Sequence, residues 1–325
     1  MVTRGELRVV SGSSWSNRLF AASAGVLLDA ALGEPRLEPH PVALLGRALQ
    51  RVESALYRDD RRAGVAHAAA GAAAGAVVGA VTRSTAAATY LTVAGRALRD
   101  LAGEVAAALA RNDLDAARAL LPALVGRDVE HLDEKAICRA VIESVAENTV
   151  DAVVAPALWA AAAGAPGAWI HRSVNTMDAM VGHRDVRYMN YGWAAARLDD
   201  AAAYVPARCT ALLVAAARPA RAGRVWQAVR RDAPAHPSPN AGVAEAAFAA
   251  ALDLRLGGEA TYRSHVELRP VLGDGRPPER ADIARAIELS RDVSVVLAAA
   301  LAAFGALAAR HPASRRATAP VEGDA

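Results

Sequence analysis

Polar residues that could do chemistry recur every four positions near the middle of the chain. Lys135, Arg139, Glu143, Glu147 and Asp151 follow one another at this spacing. On an α-helix each step of four residues drifts by about 40°, so all five share one broad face. Exposed ion pairs, each worth ~0.3–0.5 kcal/mol, would also explain the pattern. However, the face leads directly into an uncharged segment, where carboxylates are costly unless they are paired or used. The spacing therefore favours a functional site.

A second group of acidic and amide residues follows. Asn175 and Asp178 are three residues apart, and Asp199 and Asp200 are adjacent in the sequence RLDD. Three arginines lie near them in the sequence: Arg172, Arg197 and Arg208. Acidic pairs beside arginines are typical of a nucleotide–magnesium site, because carboxylates hold the metal and arginines hold phosphate. Ion pairs between surface loops are the alternative explanation.

The composition excludes several functional classes. The only lysine, Lys135, lies in DEKAI with no glycine loop before it, which excludes a GxxxxGK[ST] phosphate-binding loop and a protein-kinase signature. The two cysteines, Cys138 and Cys209, are too few for a disulfide framework and form no CxxC motif for a zinc ribbon. The net charge is +3 and the arginines are mixed with acids, so no nucleic-acid partner is expected.

Long uncharged stretches predict an all-α, polytopic membrane protein. The three longest candidates are 64–82, 152–170 and 293–309. A spanning helix needs about 20 predominantly apolar residues. Gly71, Gly75 and Gly79 recur every four residues in the first candidate, a pattern that lets membrane helices approach closely. A soluble alanine-rich bundle is the alternative, but there each of these glycines would cost ~1 kcal/mol relative to alanine.

Cytosolic amphipathic helices and long functional loops are expected between the spans. The positions of apolar residues predict helices over 104–121 and 133–154. Proline and glycine punctuation predicts loops at 33–41, 218–240 and 269–278.

The ends of the chain are predicted to be disordered. Residues 1–17 form a polar extension and residues 310–325 form a tail, which leaves a single membrane domain over 18–309. Alternating β patterns are weak and occur only at 2–10 and 265–268.

The uncharged segment 152–170 is not expected to be a simple span. It contains Pro156, Gly164 and Pro166, and proline inside a helix removes a hydrogen bond and kinks the helix. A broken or re-entrant segment would bring the sequence ESVAEN before it close to the sequence NTMD after it. Non-helical backbone is tolerated at membrane depth where protein or a cavity covers it.

Five motifs occur in a particular order along the chain. They are PHPV, ESVAEN followed by an aspartate, NTMDAMVG, RLDD followed by PAR, and SPNAG followed by LGG. Over about residues 19–287 the chain thereby resembles the CobD or CbiB family of cobalamin biosynthesis, the adenosylcobinamide-phosphate synthases.

The resemblance implies a multi-pass protein of the cell membrane with its active site facing the cytoplasm. It implies ATP- and Mg²⁺-dependent amide formation between adenosylcobyric acid, a corrinoid, and aminopropanol phosphate or a related amino alcohol. Membrane lipid and other cobalamin-assembly membrane proteins are the further partners that it implies.

The resemblance also implies roles for the polar residues. Candidates for catalysis, including deprotonation of the amine, are Glu143, Glu147 and Asp178. Candidates for the metal are Asp151, Asp199 and Asp200. Without a phosphate-loop lysine, phosphate would be bound by arginines, and the candidates are Arg139, Arg172, Arg197 and Arg208. Three amides would orient substrate: Asn148, Asn175 and Asn240.

Three other functions compete with this hypothesis, and the least favoured is a transporter, because it would need polar groups within its spans and few are present there. A magnesium-dependent membrane prenyltransferase would carry NDxxDxxxD or DDxxD, but Gly182 stands where the second aspartate after Asp178 is needed, and Ala203 follows the pair at Asp199 and Asp200. A non-enzymatic membrane sensor or regulator on the same scaffold would not need all of these acids together.

Overall fold

The computed structural model of the protein describes residues 12–310, except 36, 127, 184, 263 and 264. Helices dominate the described chain, which also contains one antiparallel β-hairpin. The helices are α1 (Gly12–Leu32), α2 (Pro41–Leu56), α3 (Arg61–Thr82), α4 (Thr85–Thr92), α5 (Gly95–Ala110), α6 (Leu114–Leu120), α7 (Glu134–Thr149), α8 (Ala155–Val181), α9 (Trp193–Ala217), α10 (Ala222–Asp232), α11 (Ala241–Leu252) and α12 (Arg280–Arg310). The strands are β1 (Leu256–Tyr262) and β2 (His265–Leu272).

Helix α7 carries the first four of the five residues spaced by four and lies in the core. It begins at Glu134 because the carboxylate of Asp133 accepts the N–H of Ala136 at 2.8 Å and so caps the helix. A π-helical turn, Val150–Val154, continues α7 directly into α8. The helix predicted over 133–154 is therefore confirmed, with one wider turn at its end.

Helix α8 folds back on itself at Gly164, where φ is 71° and ψ is −155°. Glycine adopts this conformation far more readily than other residues. The turn separates a first leg, residues 155–163, from a returning leg, residues 165–181. A Cβ atom placed on Gly167 would lie 2.2 Å from the carbonyl oxygen of Trp159, so the two legs touch just beyond the turn. The predicted break in this segment is confirmed.

Helix α3 lies directly against the returning leg. A Cβ atom on Gly75 would lie 2.6 Å from the carbonyl oxygen of Trp169, and one on Gly79 would lie 2.4 Å from the Cα of Pro166. Any side chain at these positions would have to displace backbone. The glycines spaced by four therefore allow the two helices to approach closely, as predicted.

Asp29 is a carboxylate in a largely apolar helix, α1, and it caps a different helix. Its Oδ2 accepts the N–H of Arg96 at 3.0 Å, in the first turn of α5. Ala94, at the N-cap position of α5, offers no side-chain acceptor. Asp29 supplies that acceptor and so connects the two helices.

One predicted helix and one predicted loop need correction. The helix expected over 104–121 is interrupted, because Asn112 adopts a positive φ of 58° between α5 and α6. The loop expected over 218–240 contains α10, which is stabilised by burial of Val225 and Ala228 against the rest of the fold.

The predicted hairpin region and the predicted start of the fold also need correction. The loop expected over 269–278 begins with the end of β2, where Leu272 pairs with Leu256 of β1. Helix α1 begins inside the extension predicted to be disordered, and its Ser16 is buried. The strand hint at 2–10 and the rest of the extension lie outside the described residues.

Within the described residues, three helical stretches are long and apolar enough to cross a membrane: Arg61–Thr82, Glu134–Val181 and Arg280–Arg310. The second stretch contains the fold-back at Gly164. The predicted fold class, an all-α protein with membrane helices, is confirmed. Residues 311–325 of the predicted tail lie outside the described residues.

Candidate functional site

Five carboxylates from three parts of the chain lie together near the start of the first leg of α8 and the end of its returning leg. One pair lies at the end of α7 and in the π turn, one acid lies on the returning leg, and one pair lies on α9. These residues, which we call the acid row, are Glu147, Asp151, Asp178, Asp199 and Asp200. Each acts electrostatically on at least one other member. The fold therefore gathers acids that the sequence separates.

Asn175 joins the two halves of the acid row. Its Nδ2 donates a hydrogen bond to Oδ1 of Asp199 at 3.4 Å, and the same side chain is hydrogen-bonded to Asp151. The predicted approach of ESVAEN and NTMD is thereby confirmed. Asp151 has Asp199 as its foremost acidic neighbour, whereas Asp178 has Asp200. The row thus runs from Asp151 to Asp200.

The acid row concentrates negative charge in a partly buried place. The pKa of Asp199 is raised to about 7, first by burial and next by the carboxylate of Asp178, and the hydrogen bond from Asn175 opposes this rise. Burial and neighbouring like charges both disfavour the ionised carboxylate. A bound cation would relieve that repulsion.

A magnesium ion held by the acid row would need further ligands from a bound substrate or from water. Among the described residues, no three His, Cys, Asp or Glu side chains are arranged to hold a metal ion by themselves. Mg²⁺ is often bound through only one or two carboxylates, with substrate phosphates and waters as its other ligands. Asp199 and Asp200, adjacent on α9, would provide such carboxylates.

Gly182 leaves room for the carboxylate of Asp178. A Cβ atom on Gly182 would lie 1.9 Å from Oδ1 of Asp178. The backbone N–H of Gly182 also donates to the carbonyl oxygen of Asp178 at 2.7 Å, which ends the returning leg. The glycine therefore determines where this carboxylate lies.

An open cleft of about 880 Å³ adjoins the acid row at Asp200. Its cationic and aromatic lining residues include Arg61, Trp193, Arg197, Arg208, Trp226 and Arg230. The guanidinium of Arg61 lies 5.2 Å from the ring centre of Trp193, and that of Arg230 lies 4.9 Å from the ring centre of Trp226. Arginines beside aromatic rings in a cleft of this size suit a phosphorylated small molecule.

Asn240 fixes one arginine of the cleft. Nη1 of Arg208 donates to Oδ1 of Asn240 at 2.9 Å, and the guanidinium lies 3.6 Å from the ring centre of Tyr204. Nδ2 of Asn240 donates to the backbone oxygen of Asp200 at 2.8 Å. Asn240 is buried, so its amide positions α9 and Arg208 from below the cleft surface.

Arg172 lies near the other end of the acid row. Its charge acts on Glu34 and Asp151. Its Nε is buried and has no hydrogen-bond acceptor among the described residues. Arg172 and the cleft arginines are therefore associated with opposite ends of the row.

Three of the predicted site residues lie apart from the acid row. Glu143 is buried, accepts the N–H of Gly257 at 2.9 Å and has its Oε1 4.0 Å from Nε of Arg139. These two residues therefore face the β-hairpin. Asn148 donates to the backbone oxygen of Ser144 at 2.9 Å and to its hydroxyl at 3.1 Å. The amide nitrogen of Asn148 is thereby engaged within its own helix.

Several site residues were not predicted from the sequence. Arg61 and Arg230 line the cleft from α3 and α10, and nothing local in the sequence distinguishes them from other arginines. His236 also lines the cleft, and its Nε2 lies 3.7 Å from the buried carboxylate of Glu245. His236 lies two residues before the motif SPNAG, which could have drawn attention to it. Glu245 lies in an alanine-rich helix with no motif around it.

Known proteins resemble this chain over most of its length. The sequence profile of the family described as CobD/Cbib protein matches residues 22–290. The cobalamin biosynthesis protein CobD of Mycobacterium tuberculosis (strain ATCC 25618 / H37Rv) is 48% identical over a 294-residue alignment, which covers 86% of this chain and 94% of that protein. The protein of the same name from Geobacter metallireducens is 41% identical over a 272-residue alignment, which covers 78% of this chain and 86% of that protein.

A third protein of that name, from Chromobacterium violaceum, is 41% identical over a 304-residue alignment, which covers 88% of this chain and 96% of that protein. No solved structure matches the chain. Because the family profile and these relatives cover most of the sequence, the chain belongs to the CobD/Cbib family.

Proposed function

We propose that the protein acts in cobalamin biosynthesis by forming an amide between the carboxylate of adenosylcobyric acid and the amine of aminopropanol phosphate, with ATP as cosubstrate. The observation that carries this proposal is the acid row, which ends in an arginine-lined cleft. The names of the relatives, each a cobalamin biosynthesis protein, support the pathway.

The cleft is the proposed site of ATP. A carboxylate does not form an amide until it is activated, and phosphoryl transfer from ATP would supply that activation. Arg197 and Arg208 line the cleft beside Asp200 and would bind the phosphates in place of a loop lysine. When bound, Mg²⁺ would neutralise phosphate charge, held by Asp199 and Asp200.

The middle of the acid row is the proposed place of amide formation. The amine nitrogen attacks the activated carboxyl carbon, the bond from that carbon to the phosphate oxygen breaks, and phosphate leaves. An ammonium must first lose a proton to become a nucleophile. Glu147 and Asp178, which act on each other in the row, are the proposed acceptors of that proton.

The membrane geometry that we propose keeps the whole acid row on the cytoplasmic side of the cell membrane. From Asp151 the first leg reaches Ala163 in twelve residues, a rise of about 18 Å. The hydrocarbon core of a bilayer is about 30 Å thick. The fold-back therefore turns inside the membrane, and the returning leg brings Asp178 to the side from which the chain entered.

Cysteine labelling of sealed vesicles measures this topology. In a variant without Cys138 and Cys209, single cysteines at the exposed positions Lys135 and His183 should react with an impermeant maleimide from the same, cytoplasmic, side. A cysteine at exposed Arg83, beyond the end of α3, is expected to react from the opposite side and serves as the control. Reaction of positions 135 and 183 from opposite sides would contradict the fold-back topology.

The function is tested with membranes from cells that lack their own synthase. With adenosylcobyric acid, ATP, Mg²⁺ and aminopropanol phosphate, membranes containing the protein should produce adenosylcobinamide phosphate, measured by mass spectrometry. Omitting ATP or Mg²⁺ should stop the reaction. Product formation that is unchanged without ATP, or no product from folded protein with all four components, would overturn the proposal.

Arg197→Ala is expected to reduce kcat/KM for ATP about 10- to 100-fold, the loss that follows removal of a charge-assisted hydrogen bond to phosphate. Lys135→Ala is the matched control, because Lys135 is exposed at the start of α7 and does not line the cleft. A larger loss in the lysine variant than in the arginine variant would show that the cleft is not the ATP site.

A further inference from the structure

The positive charge of Arg172 lies within electrostatic range of two carboxylates. Arg172 lies on the returning leg, three residues before Asn175, and its charge acts on Glu34 and Asp151. Asn175 is hydrogen-bonded to the same Asp151. The guanidinium of Arg172 therefore lies within electrostatic range of a carboxylate where the acid row begins.

The guanidinium of Arg172 is not fully satisfied by the protein. Its Nε is buried and finds no hydrogen-bond acceptor in the part of the chain that the structure describes, although nearly all buried polar groups in native proteins have one. A bound anion would supply the missing acceptor, and arginine presents its N–H groups in the geometry that phosphate accepts.

Arg172 and the cleft arginines serve different ends of the acid row. Asp200 lines the open cleft with Arg197 and Arg208, whereas Arg172 acts on Asp151. Arg172 thus lies at one end of the row and the cleft arginines lie at the other. This arrangement suits two phosphorylated reactants that approach the same reaction centre.

We propose that Arg172 and Asp151 form the subsite for the phosphorylated amino alcohol. The phosphate would bind the guanidinium of Arg172, and the ammonium would lie against the carboxylate of Asp151. A compact zwitterion with one anionic and one cationic end matches this pair. The subsite rests on the proposed amide-forming function, and it gives Asp151 a substrate-binding role in place of the metal-binding role expected from the sequence.

The test uses the amine with and without its phosphate. Membranes containing wild-type protein, Arg172→Gln or Arg197→Gln are assayed with aminopropanol phosphate and with aminopropanol. In Arg172→Gln the KM for aminopropanol phosphate should rise at least about 10-fold, the effect of one lost charged hydrogen bond, while the KM for ATP stays within about twofold. With aminopropanol, Arg172→Gln and wild type should have the same kcat/KM within about twofold.

Two further measurements separate binding from a structural role. Arg172→Lys, which keeps the charge, should recover part of the preference for the phosphorylated amine. Arg197→Gln should raise the KM for ATP and leave the preference between the two amines unchanged.

An equal loss with both amines in Arg172→Gln, or a raised KM for ATP in that variant, would overturn the subsite. If wild-type protein produces amide from aminopropanol phosphate but Arg172→Gln retains its full preference for the phosphorylated amine, the subsite fails and the proposed function stands. If folded wild-type protein accepts neither amine, the proposed function fails instead.

Discussion

Asp178→Asn is expected to lower the rate of amide formation at least about 100-fold, because the variant removes a charge that would handle a proton or a metal-bound substrate. Asp178 interacts with both Asp200 and Glu147, and the absent side chain of Gly182 leaves space for its carboxylate. Asparagine has nearly the same shape, so the variant tests the charge rather than the packing. The rate of cobinamide phosphate production by membranes with matched amounts of protein is the measurement.

Two variants accompany Asp178→Asn. Glu147→Gln changes another member of the acid row in the same near-isosteric way and should cause a loss of similar size. Asp100→Asn removes an exposed carboxylate of α5 that pairs with Arg96 at 3.5 Å, and it should leave the rate unchanged. Normal activity in both acid-row variants would show that the site lies elsewhere.

The second large effect is structural. Gly75→Val is expected to destabilise the protein by about 3 kcal/mol, because a Cβ atom would lie 2.6 Å from the carbonyl oxygen of Trp169 and 2.9 Å from the Cα of Ile170. Backbone on the returning leg cannot move away without moving Asn175 and Asp178 with it. The melting temperature of the detergent-solubilised protein and the rate of amide formation should therefore decline together.

Gly103→Val is the matched control for this substitution. Gly103 also lies within a helix, α5, but a Cβ atom there meets nothing within 4 Å. Its effect on the free energy of unfolding should remain within about 0.5 kcal/mol. Equal melting temperatures for the two valine variants would contradict the close packing of α3 on the returning leg.

The sequence predicts the local part of the site well, because the helical period fixes which residues share a face. Glu147 and Asp151 lie in one acid row as their spacing of four indicates. The same spacing fails for Glu143, which accepts the N–H of Gly257, a residue 114 positions further along the chain. A partner so distant in sequence leaves no trace in the pattern around Glu143.

The break in the uncharged segment was predictable from composition, but its form was not. Pro156 and Pro166 were equally plausible as kinks. Pro156 lies in the first turn of α8, whereas the reversal occurs at Gly164, just before Pro166. Only glycine combines freely with the positive φ that the reversal requires. The location of the turn is set by packing of the returning leg on α3, a tertiary contact.

The cleft was the least predictable part of the site. Its arginines come from α3, α9 and α10, and α10 itself lies where the sequence predicted a loop. A chain with 54% hydrophobic residues, rich in alanine, contains few distinctive side chains by which helix faces can be matched. Which helices border one cleft follows from the assembled fold and not from any local pattern.

The π-helical turn at Val150–Val154 sets the phase between the two halves of the site. In a π turn the hydrogen bond joins residues i and i+5, so the turn holds one residue more than a turn of α-helix. Each residue of an α-helix adds about 100° of rotation, so deletion of a single residue here would rotate everything after the turn by about that angle relative to Glu147. Asp151 would then no longer meet Glu147 and Asn175 together. The number of residues in this turn thus matters more to the site than the identity of its valines, and a conservative substitution of Val153 should be tolerated where its deletion is not.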